Sequence, residues 1–252
     1  MYAAKNGFRI TADDVTLLTD GTDYVLGVSV EADSTIQTHL AGLVGLDAIR
    51  VDRPAEARIG VASRVGGAVP LSIERDYLNA CILQGMTSHL TLKFGSSDGT
   101  EGFFGLVDLD REVGGGASDI ETWLAHGYPG KVLSGDLIYP VEPGVNSGPC
   151  FKAFWSRFAE CTHFPSEGGC NEQHYVLGCP RIVKVPIIVQ TASKSVKIVG
   201  FAGFVLEGCM GQGVNNYIVG SFTHIMEPDG LANGQDPLSC LDYGIYTAYL
   251  SR

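Results

Sequence analysis

The sequence predicts an α+β protein, mostly antiparallel sheet with a few short helices. Two observations predict it. Strand patterns come in consecutive groups, above all between residues 182 and 250, instead of alternating strictly with helices. Thirty-three glycines in 252 residues supply the frequent turns that such a chain needs.

The elements follow in order. Tyr24, Leu26, Val28 and Val30 alternate with smaller or polar neighbours, the two-residue period of a half-buried strand. Ser34 and Gln37 read as a capping box ahead of Ile36, Leu40, Leu43 and Val44 on one helical face, with Gly45 as terminator. Ile49 and Val51 resume a strand. This gives a small β-α-β unit over residues 1–68, and the glycines before Val69 mark a boundary to a larger α+β unit over 69–252.

Glu74–Gln84 predicts a helix with Leu78, Cys81 and Ile82 inward and Gly85 as its stop. Strand signals at Leu90, Leu92 and Phe94 and from Phe103 to Leu109 flank Gly95–Gly102, which reads as a hairpin loop. Ser118 and Glu121 cap a helix bearing Ile120, Trp123 and Leu124, ended by Gly127. Pro149 suits the first turn of another, where Phe151, Phe154, Trp155 and Phe158 fall at i, i+3, i+4 and i+7 as a core stripe. Strands are predicted at Ile182–Val189, Val196–Leu206, Tyr217–Ile225 and Tyr243–Leu250.

Composition excludes several functions. The net charge is −11 and Lys and Arg form no cluster, so a phosphate backbone would be repelled and nucleic acid is not an expected partner. Anionic membrane surfaces are disfavoured for the same reason. The longest uncharged apolar run, Ile198–Leu206, falls far short of the roughly 20 residues of a membrane helix. Residues Met1 to Ile10 carry Lys5 and Arg9 and do not read as a signal peptide.

Seven cysteines remain to be explained. Cys161, Cys170 and Cys179 share one loop-rich stretch, and Cys150, Cys209 and Cys240 surround it in the sequence, with Cys81 apart. Clustered cysteines in a Pro- and Gly-containing loop suit disulfides in an oxidising compartment, so Cys150, Cys161, Cys170, Cys179, Cys209 and Cys240 are the disulfide candidates. His163 and His174 lie among the three central cysteines and would complete a zinc ligand set. The two eight-residue spacers are longer than the two-to-four residues common in such sites, which favours a disulfide.

Cys150 opens a helix, where the macrodipole favours a thiolate. With His126, His163, His174 or His224 as base it could serve a cysteine-dependent hydrolase, although a buried or bonded cysteine is the plainer reading. Asp108, Asp110, Glu112 and Asp119 echo a calcium-loop count, but Val113 stands where the glycine is required. Gly114–Gly116 and Gly211-Gln-Gly213 are weak anion-binding signals without a Walker lysine. No Gly-x-Ser-x-Gly elbow or His-Glu-x-x-His is present.

Several segments, in a shared order, carry a resemblance. They are Phe104-Gly-Leu-Val-Asp-Leu-Asp110, Gly114–Asp119 and Glu121–Tyr128; then Gly135–Tyr139, Glu142-Pro-Gly144 and Ser147-Gly-Pro149; then Cys179–Val189, Val196–Leu206 and Ile218–Phe222. Tyr2–Gly7, Val28-Ser-Val30 and Ala55–Gly60 add a looser N-terminal match. Together they are similar to envelope proteins of tight-adherence (Tad/Flp) pilus assembly, of the TadE/TadG kind. The resemblance implies a non-enzymatic minor pilin or assembly factor on the cell surface or in the envelope. Its expected partners are other pilus or envelope subunits. Neither a cofactor nor a small-molecule substrate is implied, and the membrane would be met only through an N-terminal helix that this chain does not include.

Overall fold

The computed structural model of the chain describes residues 10–19, 21, 25–38, 43, 45–94, 106–111, 117–141, 147–192, 194–212, 215–232 and 243–251. Two units divide it: residues 1–60 with 248–252, and residues 61–247. The boundary lies inside a strand, eight residues before Val69.

In the first unit, β1 (Val15–Thr19) pairs antiparallel with β2 (Val25–Gln37), which pairs antiparallel with the outer part of β3 (Ala48–Gly66). The helix expected from Ser34 is not there. Ser34 lies opposite Val51, and Ile36 opposite Ile49, within a ladder that runs unbroken from Gly27 to Gln37. The two-residue period set by Val28 and Val30 continues through β-branched Thr35 and Ile36, and cross-strand partners outweigh a local capping signal. Gly45 does adopt φ +84°, though it ends no described helix; Leu40 and Val44 lie outside the described residues.

The second unit holds the core. Its centre is an antiparallel meander of β8 (Ile182–Ala192), β9 (Ser195–Gln212) and β10 (Asn215–Thr223). Short β4 (Ile73–Glu74) lies parallel to β8, and β5 (Leu90–Phe94) closes the other edge against β10. The inner end of β3 pairs with β6 (Lys131–Leu133), while β7 (Ile138–Pro140) pairs with β9. Next along the chain, β11 (Ile225–Met226) runs parallel to Ile245 and Tyr246 of β13 (Ile245–Leu250), and β12 (Leu231–Ala232) returns to β3. Strand outweighs helix and antiparallel pairs outnumber parallel ones, which makes the protein a mostly-sheet α+β fold.

Residues 95–105, which include the expected hairpin loop, lie outside the described residues, and the described parts of the two flanking segments, 90–94 and 106–109, pair elsewhere. Leu90 faces Gly220 of β10, whereas Leu106 bridges to Leu71 and Val107 to Val141.

Three helices of eight or more residues occur among the described residues. In α1 (Arg75–Leu83), Glu74 accepts a bond from the Tyr77 N–H as the N-cap, Leu78 and Cys81 are buried, and Gly85 follows at φ +68°. In α2 (Ala117–His126), Ile120, Trp123 and Leu124 face inward as the spacing requires, although Ser118 sits inside the helix and not at its cap. In α3 (Ser147–Glu160) the buried face is Cys150, Ala153, Phe154 and Arg157, while Trp155 is 58% exposed. The face is therefore turned by one position from the expected aromatic stripe. Arg157 explains the turn: its guanidinium donates to the Leu124 and Pro180 carbonyls and joins α3 to α2 and to the start of β8.

Gly127 tests this packing. It adopts φ +84°, and an added Cβ would lie 2.6 Å from the Gly67 carbonyl oxygen, whereas Gly85 has open space at a similar φ. Gly85→Ala should cost about 1 kcal/mol from backbone strain alone. Gly127→Ala adds a backbone clash and should cost roughly 2–4 kcal/mol in urea unfolding.

Candidate metal centre

The loop after α3 is built from special backbone positions. The Cys161 N–H bonds the Phe158 carbonyl at 3.3 Å as the helix tightens and ends. Phe164 takes a left-handed conformation at φ 46°, which costs roughly 1–2 kcal/mol for a residue with a Cβ. A single 3-10 turn, Pro165–Glu167, then leads to Gly168 and Gly169, both at positive φ. Gly169 is required by its φ of +112°, and a Cβ there would stand 2.4 Å from the Arg181 guanidinium carbon, so it would also displace that side chain.

Arg181 acts as the loop's anchor. Its guanidinium donates to the Gly168 carbonyl at 2.6 Å and the Cys170 carbonyl at 3.3 Å, and sits 4.8 Å above the Phe158 ring. A second tie lies further on. Glu207 on β9 accepts the Glu172 N–H at 3.1 Å and the Ser221 hydroxyl at 3.0 Å, and pairs with His89 Nδ1 at 2.7 Å. That carboxylate raises the pKa of His89.

These constraints bring four soft donors together. Cys161, His163, Cys170 and Cys179 place one ligand atom each within 4.8 Å of one another. Cys161 Sγ is 3.4 Å from Cys179 Sγ and 3.9 Å from His163 Nδ1. A tetrahedral zinc with bonds of about 2.3 Å to sulfur would set neighbouring sulfurs roughly 3.8 Å apart. The donor spacing is therefore that of a four-coordinate site before small adjustment. Backbone N–H groups also point at the sulfurs: Cys170 N–H to Cys161 Sγ at 3.4 Å, and Arg181 N–H to Cys179 Sγ at 3.5 Å. Such outer donors orient thiolates and spread their charge.

The thiols are unequal. Burial raises the Cys161 pKa, but hydrogen bonds from the Cys170 backbone, His163 and the Cys179 thiol outweigh it and bring it down to about 6. Burial pushes Cys179 up to about 12, and its bonds to Cys161 and Cys170 add to the rise against the Arg181 N–H. Cys179 donates a hydrogen bond to Cys161, which of the two holds the charge more readily. Two sulfurs in contact share one charge.

The structure sorts the sequence candidates. The six described cysteines are free, and the 3.4 Å Cys161–Cys179 separation is beyond the roughly 2.05 Å of a bond; the sequence had set no pairing. Cys240 lies outside the described residues. Cys150 does open α3 as expected, but it is wholly buried; desolvation, with the nearby Cys209, pushes its thiol up to about 12. Burial likewise raises Cys209 to about 12. A nucleophile needs the opposite shift.

Among the histidines, His163 belongs to Cys161. His174 pairs with Glu167 at 2.7 Å, and His224 stacks on Tyr246. Asp108 is buried, Asp119 is exposed in the first turn of α2, and Glu112 and Gly114–Gly116 lie outside the described residues. No grouping of these acids with three or more metal-ligand donors occurs among the described residues. The sequence offered Cys161, Cys170, Cys179, His163 and His174 as ligand types for zinc but preferred a disulfide and assigned no metal site. What it missed was the Cys161-x-His163 pair, whose short spacer matters more than the eight-residue gaps beyond it, and the Arg181–Gly169 contact that folds those gaps back.

In metal-free, reduced protein, alkylation of Cys161 should reach half its maximal rate near pH 6, whereas an ordinary thiol does so near about 8.5. Cys150 should resist the reagent until the chain unfolds. Quantifying both modified peptides against pH checks the two shifts.

No protein-family model, no curated protein and no solved structure matches this chain.

Proposed function

We propose that this protein is a non-catalytic assembly component of the tight-adherence envelope kind, whose larger unit is stapled by a structural zinc-class ion. The observation that carries the metal is the convergence of Cys161, His163, Cys170 and Cys179 within 4.8 Å. Three thiols and an imidazole are borderline-soft donors that suit zinc, and four protein ligands leave no open position for substrate or activated water. A closed site of this kind contributes folding energy and not chemistry.

Its mechanical effect follows from where the ligands sit. Cys161 caps the exit of α3 and Cys179 precedes β8 by three residues, so the ion would join a helix end to the first strand of the central meander. Apparent affinities of structural zinc sites correspond to about 10–16 kcal/mol at pH 7, much of it folding free energy. A rigid unit that presents its faces to neighbours fits an assembly role. The ordered series of sequence motifs shared with TadE/TadG-like proteins supports the envelope setting, and the acidic net charge suits contact with basic partner surfaces. Cys150, buried with a raised pKa, gives a cysteine hydrolase no support.

Protein purified under reducing conditions should carry one zinc per chain by elemental mass spectrometry. Cys170→Ser should weaken zinc binding more than about a hundredfold in chelator competition, and Arg181→Ala by roughly tenfold through the ligand-bearing loop. A reduced chain that binds no zinc would remove the metal from this reading. For the envelope role, fractionation and in-cell crosslinking of the full reading frame should recover the protein in the envelope, joined to pilus subunits; a wholly cytosolic pool without such crosslinks would count against it.

A further inference from the structure

Zinc needs reduced thiols, whereas a cell-surface setting is oxidising, and one pair in the site meets both demands. Cys161 Sγ and Cys179 Sγ already stand 3.4 Å apart. About 1.4 Å of approach would bring them to bonding distance. Neither sulfur lies within a helix or strand that would resist this movement: Cys161 follows the last residue of α3, and Cys179 sits in a turn closed by its N–H to the Val176 carbonyl at 3.0 Å. Cys161 is half-buried and reachable, while Cys170 and Cys179 are buried. The loop keeps its other ties, Arg181 to Gly168 and Cys170 and Glu207 to Glu172, which do not involve the sulfurs being joined.

We propose that Cys161 and Cys179 form a releasable ligand pair, joined as a disulfide when a small-molecule disulfide oxidises the site, with loss of the metal. This rests on the metal reading above. The Cys161 thiolate attacks one sulfur of the oxidant, forming a mixed disulfide and expelling one thiolate. The Cys179 thiolate then attacks the Cys161 sulfur and expels the second. The two cysteines lose two electrons, the oxidant's S–S bond gains them, and the divalent ion leaves with its charge unchanged. His163 and Cys170 remain, two ligands where a structural site uses four. Cys161 is the entry point because it is the least buried of the three thiols, and Cys179 resolves because it is the neighbour in contact.

The test starts from full-length chain loaded with one equivalent of zinc and exposed to glutathione disulfide. Zinc release is followed with a chromogenic chelator, and the bonds are located by peptide mapping without reduction. One equivalent of zinc should leave as one Cys161–Cys179 bond forms, and dithiothreitol with zinc should restore the starting state. In Cys179→Ser, glutathione should remain attached at Cys161 because nothing resolves it. If the reduced chain takes up no zinc, the metal reading fails and the exchange fails with it. If zinc binds but stays bound under oxidant, or leaves with a bond at Cys170 instead, the metal reading stands and the releasable pair is overturned.

Discussion

Two sulfurs in contact cannot both carry a full negative charge in a partly buried site. At 3.4 Å the charge of Cys161 must be shared with a proton on Cys179, neutralised by a cation, or removed by a covalent bond. Everything built around the loop serves that constraint. The backbone N–H groups of Cys170 and Arg181 aim at the sulfurs, and Arg181 brings a permanent positive charge to the carbonyls beside them. A core that only needed hydrophobic burial would have no use for these donors.

The surrounding fold makes the constraint affordable. β9 is buried along much of its length between β8 and β10, and its Glu207, itself held by Ser221 and His89, anchors the middle of the cysteine loop by accepting the Glu172 N–H. Arg157, 6% exposed, ties the loop's end before β8 by donating to the Pro180 carbonyl, and burial lowers its pKa to about 10. The loop is thus fixed at its middle and at its end before β8 by polar contacts to regular elements. Cys179 lies between these anchors in the sequence and Cys170 two residues before the first, so the sulfur positions depend on the sheet and α3 as well as on the loop itself.

Much of the second unit was legible in the sequence because local and tertiary signals agree there. The apolar runs at Ile182, Val196 and Tyr217 are strands, and Gly85 and Gly127 stop helices with the left-handed backbone that glycine permits. Ser34 misled because its capping pattern is local, whereas the partners that hold it extended, Val51 and its neighbours, are distant in sequence. Trp155 misled because periodicity cannot tell which of two adjacent stripes is inward; a buried arginine at position 157 decided it through carbonyls supplied by other elements. The cysteine stretch was visible as chemistry and not as geometry. Spacer lengths describe a loop only if it is unstructured, and here Phe164, Gly168 and Gly169 fold an eight-residue gap back on itself.

The same geometry bears on the choice between disulfide and metal that the sequence posed. These are usually alternatives that follow the compartment, because a thiol pair committed to one is lost to the other. Cys161 and Cys179 do not fit that division. They are close enough for a bond, yet they share their surroundings with a third thiol and an imidazole that a disulfide alone would not require. Cys170 is wholly buried and His163 is turned toward Cys161, an arrangement with little purpose if two sulfurs were simply joined for good. The four donors together are able to hold a metal ion, and the contact between two of them is what the proposed release rests on.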